Sequence, residues 1–414
     1  MRTILHSDLN NFYASVECVY DPSLREIPMA VCGNPDERHG IVLAKNNPAK
    51  AAGVRTGEAI WQAREKCANL KVVPPDFSKY LRFARMMREI YAEYTDYIEP
   101  FGLDEAWLDV TGHPMSGPDI ADELRRRARE ELGLTLSVGV SYNKIFAKLG
   151  SDMKKPDATT IITPENFRQK IWPLPASDLL YVGPATRRKL ASRNIHTIGG
   201  IAACPVGVLA SMLGKCGEML WRFANGMECS PVRALGESAM IKSIGNSATT
   251  PRDLTCEQDV QSLLTVLSES VAERLRNHGL CGSVVELSVR DCDLGHFTRR
   301  KKIARPTALA AEILPCAMAL FRESYRWDRP IRSMGISLSA IQPLHGDEQI
   351  SMFPDRERTR QYELEGTVEE IRRRFGHHAI LRASLISDGI GRINPRDDHV
   401  IFPAGWKGGA EGSR

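Results

Sequence analysis

An α+β multidomain protein is what this sequence predicts, on three observations. The chain has 414 residues, too many for one hydrophobic core, so two to four domains are expected. Short apolar runs of strand length alternate with helix-period stretches from residue 3 to about 165. A second set of one long amphipathic helix and three strands follows a polar stretch at 230–255.

The elements follow in order. Residues 3–8 form an apolar run that reads as a buried strand, and Asn10 to Glu17 read as the start of a helix placed directly behind it. Residues 28–33 and 40–44 read as two short strands, with short helices ending at Gly53 and spanning 59–67, a small αβ module inserted after the first strand. From 80 to 97, Leu81, Phe83, Met86, Met87, Ile90 and Tyr91 repeat at helical spacing. An acidic pair on a hairpin comes next, then a helix at 120–132 carrying Arg125, Arg126, Arg127 and Arg129, then a strand at 134–140. This alternation predicts a sheet with helices on one face. Gly183 and Pro184 read as a turn between two helices, opening onto Arg187, Arg188 and Lys189. Beyond the polar stretch come a helix at 257–279, strands at 283–289, 297–303 and 331–338, and a helix at 308–321. After Leu344 the chain is polar and charged, with Thr367 and Glu370 as a capping box opening a short helix that ends before Gly376.

Composition narrows the function classes. A net charge of +4 is only mildly basic, so an anionic partner must be met by local patches. Arg299, Arg300, Lys301 and Lys302 form one such patch, on a single strand; runs of this kind often only keep a sheet edge soluble, but they can also line a phosphate backbone. The ten cysteines include no C-x-x-C pair, which argues against a zinc site or a disulfide framework. Neither a signal-peptide pattern nor an apolar stretch of bilayer length is seen, so a reducing cytoplasmic location and no membrane partner are expected.

Three carboxylates carry the chemistry. Asp8 ends the first strand, and Asp104-Glu105 sit at the turn of the later hairpin. Acidic residues beside turns usually face water. Carboxylates against strands this apolar need a counter-charge, and Mg²⁺ takes hard oxygen ligands while keeping part of its water shell for substrate phosphates. Two such ions about 4 Å apart suit an in-line phosphoryl transfer.

The stretches Asp8-Leu9-Asn10-Asn11-Phe12-Tyr13-Ala14-Ser15-Val16-Glu17, Leu103-Asp104-Glu105-Ala106-Trp107-Leu108-Asp109-Val110 and 137–156, which closes on Met153-Lys154-Lys155-Pro156, strongly resemble the Y-family translesion DNA polymerases, in particular the bacterial DNA polymerase IV branch. The resemblance runs in order from residue 1 to about 345. It implies a right-hand polymerase: palm at 1–11 and 75–165, small fingers at 12–74, a helical thumb with helix-hairpin-helix at 166–231, a linker at 232–241, an α/β little finger at 242–342 and a tail at 343–414. Low-fidelity, DNA-directed synthesis past damaged template is implied, without a proofreading exonuclease.

By position, the resemblance makes Asp8, Asp104, Glu105 and the Leu9 carbonyl the ligands of two Mg²⁺ ions, and Glu105, Asp104 and Asp8 the catalytic set. Lys155 would contact the triphosphate as a point charge. Tyr13 matches the gate that excludes a ribose 2′-hydroxyl. Phe12, in the same substrate-facing turn, reads as core packing beside it. Gly183 would hold a DNA phosphate on backbone N–H groups, and the Arg299 to Lys302 run would lie along the DNA. Two positions depart from the pattern: where the family has a triphosphate-binding tyrosine and arginine, this chain has Asn47 and Lys50. The peptide Gln349-Ile350-Ser351-Met352-Phe353 resembles those that dock bacterial polymerases on the sliding clamp, raising the effective concentration of the enzyme on DNA. Primer-template DNA, dNTP and the clamp are thus the expected partners of a monomer. The alternative, a non-catalytic DNA-binding or scaffolding member, would have shed the metal ligands.

Overall fold

The computed structural model describes residues 2–34, 40–237, 240–344 and 355–386, with Ile390 and Ile393. The chain forms two compact units that divide at residues 238 and 239.

The first unit opens with β1 (Ile4–Leu9) and α1 (Phe12–Tyr20). Asn11 joins them in a left-handed conformation (φ 50°), which asparagine tolerates better than most residues. The inserted module holds β2 (Met29–Cys32), β3 (Val42–Lys45), α2 (Asn47–Ala51), α3 (Ile60–Lys66) and β4 (Lys71–Val73), its sheet ordered β3-β2-β4. α4 (Phe77–Ala92) starts three residues before the expected position, because Asp76 accepts the backbone N–H groups of Ser78 and Lys79 and caps it there.

Then come β5 (Ile98–Pro100), β6 (Glu105–Asp109), α5 (Gly117–Leu132), β7 (Leu136–Ser141), α6 (Lys144–Met153) and β8 (Thr159–Ile161). The central sheet runs β5-β6-β1-β7-β8, with β1 antiparallel to both neighbours. The expectation of helices on one face is corrected. His6 of β1 meets Ser151 of α6, whereas Ser7, pointing the other way, accepts from Tyr91 of α4. Strands covered on both sides bury both faces, and every residue of β1 and β7 is buried, the polar His6, Ser7, Asp8, Ser137 and Ser141 included.

Small helices complete this unit: α7 (Phe167–Ile171), α8 (Pro184–Ala191), α9 (Ile198–Ala203), α10 (Val206–Leu213) and α11 (Lys215–Ala224), around a core that includes Leu190, Ile198 and Leu220. Gly183 is the N-cap of α8, but a single 3₁₀ turn at Ala176–Asp178 precedes it, so the helix expected before the glycine is only one turn long. The expected linker is anchored over its first residues: Val232 is buried against Ile4 and Trp107, and Arg233 Nη2 donates to Glu99 Oε1 at 3.2 Å.

The second unit holds β9 (Ser243–Leu254), α12 (Glu257–Asn277), β10 (Leu280–Asp291), β11 (His296–Thr307), α13 (Ala310–Ser324) and β12 (Ile331–Pro343), in an antiparallel sheet ordered β11-β10-β12-β9. β9 takes up the second half of the polar stretch at 230–255: its alternating burial places polar residues on the open side and Ile244 and Ala248 in the core. α14 (Arg356–Phe375) and α15 (Ala383–Ile386) follow. α14 starts at Asp355, which accepts from Arg358 N at 3.1 Å, and not at Thr367, whose hydroxyl donates back to the Glu363 carbonyl in mid-helix. The residues taken as a polar tail therefore include a 20-residue helix.

Candidate active site

The register of β1 and β6 sets Asp8 directly opposite Glu105. Like charges so paired repel. Two lysines answer them: Lys155 Nζ donates to Asp8 Oδ2 at 2.7 Å, and Lys148 Nζ to Glu105 Oε2 at 2.8 Å. Asp152 lies between these cations, 2.9 Å from Lys155 and 3.5 Å from Lys148. Asp104, on the turn before β6, accepts Leu9 N on its backbone carbonyl at 3.0 Å, which brings it to the same strand ends.

Backbone geometry puts the lysines there. A Cβ on Gly139 of β7 would stand 1.8 Å from the Ala147 carbonyl oxygen, so α6 lies directly on bare strand backbone. Asn143 caps α6 by accepting from Phe146 N at 2.8 Å. Just past the helix, Asp157 accepts from Arg125 Nε at 3.0 Å and donates its N–H to Asn10 Oδ1 at 2.9 Å, fixing the segment that carries Lys155.

The three carboxyls are not equivalent. Burial, then the Glu105 charge, push Asp8 up to about 7 and Asp104 up to about 6. Burial acts on Glu105 in the same direction, yet its carboxyl is held down to about 2. His6 Nε2 stands 3.5 Å from Glu105 Oε2, long for a hydrogen bond, so the Lys148 ammonium at 2.8 Å is the stronger hold. Among the described residues no group of three or more His, Cys, Asp or Glu side chains is placed to hold a metal ion by itself. The donors still fit Mg²⁺, which uses one or two carboxylates plus substrate oxygens and seldom an all-protein cage. Two buried carboxyls, Asp8 and Asp104, whose acidity is suppressed by burial and by the Glu105 charge, are what a divalent cation relieves.

Tyr13 lies half-buried beside this cluster and stacks on Tyr80 with ring centroids 4.3 Å apart; burial and the Asp104 charge push its hydroxyl up to about 12. Phe12 is 3% exposed and packs in the core. Asn47 is the first residue of α2, and its Oδ1 accepts from Asn11 Nδ2 at 2.9 Å. Lys50, later in α2, is exposed and makes no ion pair among the described residues. The structure thus gathers Asp8, Leu9, Asp104, Glu105 and Lys155 directly, and links Asn47 to the adjoining turn. Sequence reasoning passed over His6, Lys148 and Asp152; the spacing of Lys148, Asp152 and Lys155 at i, i+4 and i+7 was the available signal.

Two other surfaces carry the remaining candidates. At Gly183 a Cβ would meet nothing within 4 Å and φ is −75°, so neither packing nor backbone demands a glycine there. Absence of a side chain leaves the α8 N-terminus open to close approach by an anion. In the second unit the strand pleat divides the basic run. Arg300 and Lys302 lie opposite Glu286 and Val284 on the open face of the sheet, while Arg299 and Lys301 point to the helix side, where Lys301 reaches Glu323 at 3.6 Å. Beside Arg290 of β10 and His296 of β11, much of the open face is small and polar: Ser288 on β10, Ser333, Gly335 and Ser337 on β12, and Gly245 and Ser247 on β9. A Cβ on Gly335 would meet Ser288 Oγ at 2.7 Å and Ser247 Cβ at 2.8 Å, so this floor is already close-packed and flat. Gln349 to Phe353 lie outside the described residues.

Comparison with known proteins accounts for these features together. The model of the impB/mucB/samB family matches residues 7–152, and that of the impB/mucB/samB family C-terminal domain matches residues 241–352. The DNA polymerase IV of Acetivibrio thermocellus is 49% identical over 397 residues, covering 95% of this chain and 100% of its own. This chain belongs to the DNA polymerase IV branch of the Y-family DNA polymerases. DNA polymerase IV 1 of Bacillus subtilis is 35% identical, covering 93% of each chain. A solved Y-family DNA polymerase chimera superimposes with a TM-score of 0.71 at 25% identity, covering 82% of this chain and 99% of its own. The protein is accordingly a translesion DNA polymerase, a DNA-directed nucleotidyltransferase that binds primer-template DNA and dNTP and depends on a divalent metal. No helix among the described residues is long and apolar enough to cross a membrane.

Proposed function

We propose that Asp8, Asp104 and Glu105, with the Leu9 carbonyl, hold two Mg²⁺ ions and form the catalytic centre of the polymerase. The convergence of these groups at one set of strand ends, with Lys148 and Lys155 against them, carries this reading. Bound there, the metal supplies a more acidic primer 3′-hydroxyl and charge neutralisation at the triphosphate. Lys155, free to exchange its carboxylate for a phosphate oxygen, holds the triphosphate. Asn47 donates its amide to the same group, and Lys50 adds charge at the exposed end of α2. Tyr13 presents a ring where a ribose 2′-hydroxyl would stand, with Tyr80 behind it.

The backbone at Gly183 and the open face with Arg300 and Lys302 hold phosphates of the duplex, while Arg299 and Lys301 serve the sheet edge. Gln349 to Phe353 dock the enzyme on the sliding clamp, and the enzyme acts as a monomer. A reducing cytoplasmic setting is supported by ten free thiols.

Primer extension decides the matter. Wild-type enzyme adds deoxynucleotides with Mg²⁺; Asp104→Ala loses at least about 100-fold in rate, as when a site loses a principal electrostatic stabiliser, yet binds primed DNA as before. Full incorporation by that variant would refute the assignment.

A further inference from the structure

The open face of the second sheet carries Arg300 and Lys302 on β11 and Arg290 on β10, among serines and glycines. Along the paired ladder, Glu286 is the one carboxylate on that side. Its neighbours across the strands are Arg300 and Ser337. Cross-strand opposite charges commonly pair, but among the described residues the Glu286 carboxylate makes no side-chain hydrogen bond or ion pair, with Arg300 or with any other group. The sheet therefore does not need this carboxylate. Its field acts instead on whatever lies over the face.

We propose that Glu286 is a repulsive element that weakens the grip of this face on a DNA phosphate backbone. The inference rests on the reading of that face as DNA-binding. A carboxylate beside Arg300 cancels part of the field that would draw a phosphate there, and a strand phosphate approaching Arg300 or Lys302 comes within a Debye length of it. The consequence is an enzyme that leaves its template sooner than its cations alone would allow.

The test uses full-length Glu286→Gln, which preserves shape and removes charge, with Arg300→Ala in parallel. Binding to primed duplex DNA is followed by fluorescence anisotropy over a salt series, with melting temperature as a control on folding. Glu286→Gln is expected to lower Kd by about five- to tenfold near 0.1 M salt and to steepen the log Kd against log salt slope by about 0.9, the worth of one phosphate contact. Arg300→Ala should shift both quantities the other way. Unchanged or weaker binding by Glu286→Gln, with Arg300→Ala weakened, would overturn the repulsive role alone. If neither variant moved, the face would not be the DNA surface, and the reading beneath the proposal would fall with it.

Discussion

Asp8 and Glu105 face each other with opposite tendencies: burial and its neighbour keep a proton on Asp8 up to about pH 7, while Lys148 and His6 keep Glu105 ionised down to about 2. Two consequences follow at this scale. With Asp8 as the proposed metal ligand, a proton and a cation compete for the same oxygens, so apparent metal affinity weakens as pH falls below about 7; manganese titrations on either side of that value check it. For the metal-free protein the sign is the reverse of an ion-paired aspartate. The folded state binds the proton more tightly than the unfolded chain does, so stability declines as pH rises from about 4 to about 7. Denaturant midpoints that instead rose over this interval would contradict the raised Asp8. Gly139 is the other exacting residue. Gly139→Ala places a methyl against the Ala147 carbonyl, and a loss of about 2 kcal/mol or more is expected in chemical denaturation.

Among elements, α14 shows most clearly what composition concealed. Its residues are so polar that they read as tail, yet Glu365 is 7% exposed and Arg372 is 5% exposed. Arg276 of α12 donates to Glu365 at 2.7 Å, Glu365 accepts Ala310 N and Ala311 N at the start of α13, and Arg372 donates to Glu269 at 2.9 Å. The helix is docked by buried charge in place of an apolar stripe, a pattern that periodicity methods are blind to. Truncating one partner of a buried pair leaves the other uncompensated, so Arg276→Ala should cost about 3 kcal/mol or more. Arg374→Ala, on the exposed i,i+4 pair with Glu370, should cost under about 0.5 kcal/mol. Equal effects in thermal melts would show that α14 is not held this way.

For the whole molecule, what was legible tracks where the energy lies. β1, β7 and the three acids were readable because short strands rich in apolar residues and charged strand ends survive in one dimension. β9 was hidden because half its residues face a polar open surface, and the split of Arg299 to Lys302 between two faces emerges only once the pleat is fixed by register. Lys148 needed the α6 approach at Gly139 to become a neighbour of Glu105, and Asp152 to lie between the two lysines. At this scale the division of the chain predicts that residues 240–393, expressed alone, melt cooperatively, since Leu263, Leu267, Leu287 and Ile336 form a core of their own. A broad, non-cooperative transition would argue against an independent unit.

One arrangement reaches further than its size suggests. Tyr13 leans on Tyr80, and the Tyr80 hydroxyl is tied at 2.7 Å to Glu17, which Lys79 also grips at 3.0 Å. A wall is only as firm as its buttress. If Tyr13 is the sugar gate proposed above, sugar choice rests partly on a carboxylate one helical turn behind the ring, and Glu17→Ala should let ribonucleotides leak into product even though Tyr13 is intact; tight rejection by that variant would show that the ring stands unaided.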